Sequence, residues 1–393
     1  MMGTLDVWNV GQGDCITLYP ESGCCLAPVK LLIDTGPGDV DITKQFSAND
    51  KTHIFLTHSH KDHIGGLALF TGNKMNQVEE ITVPFYQNEI VLLAKSILEL
   101  KGTLLSGISG SEINEIRDIV GAQMAIKNAA SKGRPKLTFA YEGKPICNHV
   151  EILNPPLKIK VTDSLDEKDS KVLENTLEEI FQQDFAYAMQ AYTHAKRNGQ
   201  EDVDSPILNE ITLHDADHEN YTSISYLQRM KGNYVLNFLQ SNLDLIRKFN
   251  SSYNKNQFLK LILNYKEHIH NTCIVMKASY SHSFLLTGDA GKSVLKRLIK
   301  EKKDISAEYL KVPHHGSKNN LNLSLIRYIH PDYAVISHDN RIFGRAKDSH
   351  PNIEVMDWLN GENISILSTN DILKDGKVIL KGKAQRKGTA ISV

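Results

Sequence analysis

Thr57-His58-Ser59-His60-Lys61-Asp62-His63-Ile64-Gly65-Gly66 is the stretch of sequence that decides the fold, because it holds three imidazoles and one carboxylate within six positions. Neutral imidazole is a borderline ligand that suits zinc and related divalent ions. His58 and His60 can point the same way from an extended strand end, and Asp62 and His63 then lie on the following turn and helix start. The stretch can therefore supply ligands to two ions. The alternative is a polar loop of unmatched histidines, in which clustering imidazoles gains nothing.

The chain on either side of this stretch predicts a mixed α/β protein. Short apolar runs separated by Gly- and Asp-rich turns predict strands over the first 85 residues, and strands resume at about residue 272. Between them, apolar residues recur at helical spacing over about 88–132, 163–206 and 238–268, interrupted by a strand near 146–153. The sequence thus predicts a strand-rich core with a helix-rich block set into it.

The histidine stretch resembles the HxHxDH motif of the metallo-β-lactamase superfamily. Further segments resemble that superfamily's pattern in the same order, namely Leu31–Gly36, Phe284–Asp289 and Leu310–Ser317. More narrowly, Asn9–Asp14 and the His-His-Gly-Ser of 314–317 resemble the hydrolase domain of ComEC DNA-uptake proteins and their free-standing relatives. The resemblance implies an αββα sandwich formed by residues 1–87 and 270–393. Residues 88–269 would be a largely helical insertion that forms an access wall or a partner surface.

The resemblance also implies a site with two divalent metal ions, zinc or manganese. The implied ligands are His58, His60, Asp62, His63, His270, Asp289 and His315. Asp289 would bridge the two ions, Asp62 would also orient the nucleophile, and Asp34 would support the ligands from behind. His270 has an alternative interpretation as a helix end, and Asn220–Ser223 also matches the NxxS pattern that ComEC-like members show in place of this histidine.

Residues near the end of the chain are the candidates for substrate binding. His314 and His315 are adjacent and point in different directions if they end a strand, so we assign His315 to metal and His314 to a phosphate, with the reverse still open. His350 resembles the family's late Gly-His-Pro segment at the site mouth, and Arg341 and Arg345 could bind a phosphate. The alternatives are a helix-capping loop for His350 and solvated loop positions for the arginines.

Composition limits the other classes of function. Lys and Arg number 45 and Asp and Glu 46, a net charge of −1, which disfavours coating DNA or a bilayer through bulk positive charge. Five cysteines, at 15, 24, 25, 147 and 273, predict neither a disulfide framework nor a zinc ribbon and fit the reduced cytosol. The N-terminal residues lack a secretory pattern and no 18 apolar residues run together, so we expect a cytoplasmic protein without a membrane partner.

The function predicted from these observations is that of a metal-dependent hydrolase. The ComEC-like resemblance implies a phosphodiesterase or nuclease that attacks DNA with a hydroxide generated at the metals, within a multi-protein system such as anti-phage defence. The helical insertion would then bind a protein partner. Two alternatives stay open: hydrolysis of a small ester, such as a phosphorylcholine ester or lactone, and a non-catalytic interaction module that keeps the fold.

Overall fold

The computed structural model describes residues 3–47, 49–70, 72–85, 135–156, 255–343 and 348–393, together with single positions at 87, 90, 94, 113, 116, 117, 121 and 126. The described strands, in chain order, are β1 (Thr4–Trp8), β2 (Ile16–Tyr19), β3 (Lys30–Ile33), β4 (Thr52–Phe55), β5 (Val78–Pro84), β6 (Lys136–Ala140), β7 (Pro145–Cys147), β8 (Val150–Asn154), β9 (Val275–Ser279), β10 (Ser283–Leu286), β11 (Tyr309–Lys311), β12 (Tyr333–Ile336), β13 (Ile342–Phe343), β14 (Asp348–Ser349), β15 (Ser365–Ser368), β16 (Ile372–Lys374), β17 (Lys377–Leu380) and β18 (Ala390–Ser392). The described helices are α1 (Lys61–Ile64), α2 (Lys255–Asn271), α3 (Lys292–Lys300), α4 (Leu323–Ile329) and α5 (Ile353–Gly361).

Two seven-stranded sheets form the framework. The first has the strand order β18-β1-β2-β3-β4-β5-β6, and the second has the order β15-β12-β11-β10-β9-β8-β7. Strands β3 to β6 run parallel to one another in the first sheet. In the second sheet, β10, β11, β12 and β15 run parallel. Each sheet therefore has one edge at which the carboxyl ends of several strands meet.

Alternation of apolar side chains along the strands builds a core on each side of the second sheet. Phe284 and Leu286 of β10 pack between the sheets against Ile33 and Phe55 of the first sheet. Leu285, between them in sequence, faces the other way and packs with α3, α4 and α5. Successive side chains of a strand point to opposite faces, so one short strand serves both cores. The order of layers here is sheet, sheet and helices, consistent with the predicted sandwich.

The predicted insertion is described only in part. Strands β6, β7 and β8 lie within 88–269, yet β6 pairs with β5 of the first sheet and β8 pairs with β9 of the second. Residues 136–154 are therefore part of the two core sheets. Apart from α2 and the single positions noted above, the remainder of 88–269 lies outside the described residues, and its helix-rich character stays a prediction.

Within the described part of the chain, no helix combines the length and the apolar character needed to cross a bilayer.

Candidate metal centre

The predicted ligands follow strands that end at the same edge of the two sheets. His58 comes three residues after β4, Asp289 three residues after β10, and His315 four residues after β11. The carboxyl ends of parallel strands meet at one edge of a sheet, which is where ligands bind in open α/β sheets. The β4 and β10–β11 ends face each other because the sheets pack together, so the side chains converge at the seam between the sheets.

A first cluster is formed by His58, His60, His270 and Asp289, whose ligand atoms all lie within 4.8 Å of one another. The Nε2 atom of His58 is 3.0 Å from Nδ1 of His60. His270 comes from the last turn of α2, and its ring centroid is 5.2 Å from that of His60. The structure thus has His270 both at a helix end and in the cluster, so the two interpretations of this residue do not exclude each other.

A second cluster is formed by Asp62, His63 and His315, again with ligand atoms within 4.8 Å of one another. Oδ2 of Asp62 lies 3.4 Å from Nε2 of His315. Asp289 connects the two clusters: its Oδ2 atom is 3.3 Å from Nε2 of His63, 3.7 Å from Nε2 of His58 and 3.9 Å from Nε2 of His315. One carboxylate oxygen is therefore near ligands of both clusters, in a position from which it could be shared by two ions.

Whether these residues fit a metal can be judged from the buried nitrogen and oxygen atoms that make no hydrogen bond. Among the described residues, Nε2 of His63, His270 and His315 and Oδ1 of Asp289 are buried and make no hydrogen bond. Such atoms are costly to bury unless another partner satisfies them, and a divalent cation would do so. A set of imidazoles and carboxylates is one that zinc and manganese both accept, so the residues fit the implied ions.

The electrostatics of the clusters set different protonation states at different candidate ligands. Burial, followed by the neighbouring His63 and His60, lowers the pKa of His58 well below its usual value. Burial and His314 do the same for His270, so both imidazoles are neutral. At Asp62, burial opposes ionisation but His63 and His315 outweigh it and lower the carboxyl pKa. At His63, carboxylates including Asp289 and Asp34 overcome burial and raise the pKa, so an ion binding there would displace a proton.

Hydrogen bonds behind the ligands fix their orientation. Oδ2 of Asp34 lies 2.6 Å from Nδ1 of His63, and Asp34 also accepts bonds of 2.7 Å from the amide and the hydroxyl of Thr57. Nδ1 of His315 donates to the carbonyl of Ser337 at 2.9 Å. In both histidines Nδ1 is hydrogen-bonded to this partner and Nε2 is directed into the cluster. Such a hydrogen bond from a supporting residue selects the tautomer of a metal ligand.

His314 and His315 lie in a turn and not at a strand end, which corrects the sequence-based account of why they diverge. β11 stops at Lys311, and the two histidines lie in the 3-10 turn Pro313–Gly316 with left-handed backbone φ angles of 48° and 54°. The side chain of His315 is fully buried, whereas that of His314 is 23% exposed with its Nε2 3.7 Å from Oδ2 of Asp289. His314 thus borders the centre at its solvent side, where Oδ1 of Asn320 lies 3.1 Å from its Nδ1.

The other predicted substrate contacts differ in their relation to the centre. The His350 ring centroid is 5.1 Å from that of His314, so this histidine joins the group at the mouth. Arg341 is exposed, and its described link to His350 is through the backbone, where its carbonyl accepts from the His350 amide at 3.1 Å. Arg345 lies outside the described residues.

Sequence reasoning missed two charged residues of the centre, Asp14 and Lys311. Ligand atoms of Asp14, His63 and Asp289 lie within 4.8 Å of one another. Lys311 is 1% exposed, contacts Oδ2 of Asp14 directly, donates to the carbonyl of Gly288 at 3.0 Å and has its Nζ 3.8 Å from Oδ1 of Asp289. The sequence carried one signal for each residue: Asp14 directly follows a Gly-Gln-Gly turn, and Lys311 lies inside the apolar run of β11.

The Gly-Gln-Gly turn brings Asp14 to this position. Gly13 has a φ angle of 141°, and a Cβ atom there would collide with the backbone carbonyl of Asp62. Only glycine allows the two segments to approach this closely.

Comparison with protein families agrees with this geometry. Residues 29–82 match the family model described as the metallo-beta-lactamase superfamily. The matched segment runs from before β3 into β5 and includes Asp34 and the whole histidine stretch. No curated protein matches the chain. Members of this superfamily are typically hydrolases that bind divalent metals, usually zinc, so the match and the two ligand clusters together indicate a metal-dependent hydrolase.

Proposed function

We propose that the protein is a phosphodiesterase that cleaves DNA with the help of two divalent ions, zinc or manganese. The observation that carries the proposal is the proximity of Asp289 to ligands of two adjacent clusters. Paired metal sites are typical of enzymes that displace a group at phosphorus, because both the attacking and the departing oxygen need charge stabilisation.

The ions, when bound, would lower the pKa of water towards neutrality and withdraw charge from the phosphoryl oxygens. The chain's own residues supply orientation and proton handling. Asp62 is the most exposed carboxylate of the clusters, with a side chain 24% accessible, so its oxygen can accept a hydrogen bond from an incoming water molecule. Asp34 keeps His63 in one tautomer and thereby keeps the geometry of the centre fixed.

His314 is the proposed contact for the phosphate. It is partly exposed beside Asp289, and His350 lies next to it on the same side. Nδ1 of His314 donates to Oδ1 of Asn320, so Nε2 carries a proton for an anionic oxygen or the departing alkoxide only in the protonated ring, which the negative charge of a bound phosphate would stabilise. Arg341 and Arg345 belong to the same proposal as contacts for neighbouring phosphates.

DNA as the substrate rests on the resemblance to ComEC-type hydrolase domains, together with this histidine-lined mouth. We further propose that the insertion of residues 88–269, outside its core strands, docks a protein partner as part of a multi-protein system such as anti-phage defence. Binding residues are commonly carried on segments attached around a rigid scaffold.

The test combines metal analysis with four substrates. Purified protein should contain about two divalent ions per chain and hydrolyse linear DNA and bis-p-nitrophenyl phosphate, but neither a lactone nor a phosphorylcholine ester. His60→Ala and Asp62→Ala should abolish hydrolysis, while His282→Ala, a half-exposed histidine paired with Glu308, should not. Hydrolysis of the small esters alone would replace the DNA proposal, and bound metal without any hydrolysis would favour the interaction module.

A further inference from the structure

Three cysteines that are far apart in sequence converge at one point of the structure. Cys24 and Cys25 lie in the connection between β2 and β3, and Cys147 is the last residue of β7. Their three sulfur atoms all lie within 4.8 Å of one another, and Sγ of Cys24 is 3.6 Å from Sγ of Cys147. All three are free thiols. Because only the fold brings them together, the spacing in sequence gives no zinc-binding motif.

The thiol cluster is separate from the histidine centre. β2 begins two residues after Asp14, and β3 ends immediately before Asp34. The connection that carries Cys24 and Cys25 therefore lies at the opposite ends of these strands. Four extended residues span about 13 Å, so the two groups of ligands are on opposite edges of the sandwich.

The sulfur spacing is compatible with one tetrahedral metal ion. Zinc–sulfur bonds near 2.3 Å in tetrahedral geometry put neighbouring sulfurs about 3.8 Å apart. The 3.6 Å between Cys24 and Cys147 is close to that value. A disulfide uses two sulfurs and leaves the third without a function, while a zinc ion uses all three.

Tyr280 provides an independent observation. It lies in the turn between β9 and β10, its ring is stacked on that of His149, and its hydroxyl oxygen is buried without a hydrogen bond. Burial and then the neighbouring thiols of Cys24 and Cys147 raise the pKa of Tyr280, so the hydroxyl keeps its proton. A buried hydroxyl donor needs an acceptor, and a metal-bound thiolate would be one.

We propose that Cys24, Cys25 and Cys147 bind a zinc ion at a second site, distinct from the histidine centre. Each thiol gives up one proton to solvent as its sulfur binds, and the buried Tyr280 hydroxyl donates to a resulting thiolate. The ion joins the β2–β3 connection of the first sheet to edge strand β7 of the second. A water molecule would complete the tetrahedral coordination, and the role of the ion is structural because the three sulfurs lie away from the edge that carries the histidine centre.

Cobalt substitution tests the proposal in the full-length chain. Cobalt bound to thiolate gives sulfur-to-metal charge-transfer absorption in the near ultraviolet, which imidazole and carboxylate ligands do not give. We expect this absorption in the wild type, its loss in the double variant Cys24→Ser/Cys147→Ser, and its retention in Asp62→Ala/His63→Ala. Zinc content should fall by one ion per chain in the cysteine variant.

Two further measurements keep the result decisive. Cys25 is exposed, so Cys25→Ser does not disturb the packing, and it should release zinc to a chelator at least about tenfold more readily than the wild type. Thiol titration of unreduced, denatured, metal-free protein should find all five cysteines. Finding three thiols would mean a disulfide and would overturn the proposal. Cys273 lies at the histidine centre, with its Sγ 3.9 Å from Nδ1 of His58. Absorption that persists without Cys24 and Cys147 would be assigned to Cys273 and would overturn the proposal equally.

Discussion

Replacing Lys311 by methionine should destabilise the protein strongly, because its ammonium group is the nearest cation to the buried Asp14, closer than His315 and His63. Both side chains are 1% exposed and in direct contact, and Oδ1 of Asp289 lies 3.8 Å from the same Nζ. Removing one partner of a buried ion pair leaves the other charge uncompensated, which typically costs about 3–5 kcal/mol. In a chain of this size, each kcal/mol lowers the melting temperature by about 2 °C, so we expect a decrease of about 6–10 °C.

The assay is thermal unfolding of metal-stripped protein, with a matched control on the neighbouring part of the same sheet. Lys277 of β9 also pairs with one carboxylate, at 2.6 Å from Asp304, but the side chain of Asp304 is 74% exposed. Water therefore solvates Asp304 when the lysine is removed, and Lys277→Met should cost less than about 1 kcal/mol. The double variant Lys311→Met/Asp14→Asn should recover most of the lost stability. Equal effects of the two lysine substitutions, or no recovery in the double variant, would refute the reasoning.

Three further predictions concern ligand support, pH and the segment outside the core. Asp34→Ala removes the partner of His63 and Thr57 but no ligand, so it should weaken metal binding about 10–100-fold, measured by chelator competition, with the fold intact. Burial lowers the pKa of His338 from 6.5 to about 4, so its contribution to stability is complete above pH 6.5 and is lost as the pH falls towards 4. At about 1.4 kcal/mol per pKa unit this amounts to about 3 kcal/mol, and His338→Gln should flatten the pH dependence of unfolding relative to the wild type; parallel curves would contradict it. Replacing residues 163–206 by a short linker should leave bound metal and small-diester hydrolysis intact while weakening action on long DNA; loss of metal would show that the segment is part of the site.

The parts of the fold that could be predicted from sequence are those with strong local patterns. The apolar runs of β3, β4 and β10 are each followed by polar residues that carry the chemistry, and this pattern marks a buried strand that ends at a site. β6 was not predicted, and the reason is visible in its composition. Thr138 interrupts its apolar pattern, and this residue is buried because its hydroxyl donates to Glu80 of β5, a partner that only the fold brings beside it.

The candidate site was predicted from types of residue, and what was missed depends on three-dimensional proximity. Seven candidate ligands could be named because the resemblance to the superfamily's motifs marks their positions. Lys311 could not, because a lysine inside a strand usually lies on a solvated face. Its burial becomes favourable only when Asp14, nearly 300 positions earlier, is brought beside it. The same holds for the sulfur atoms of Cys24 and Cys147, which no spacing rule connects.

The position of Asp289 has a consequence for synthesis of the chain. The Asp289 carboxylate, which lies near ligands of both clusters, is encoded 226 positions after His63, and His315 follows later still. A ribosome that has finished the histidine stretch has therefore made only part of the candidate centre, and a product that ends before residue 289 lacks the residue that lies near both clusters. On the proposed function, hydrolysis of DNA would begin only after both sheets have emerged and packed together, so activity would depend on completed assembly.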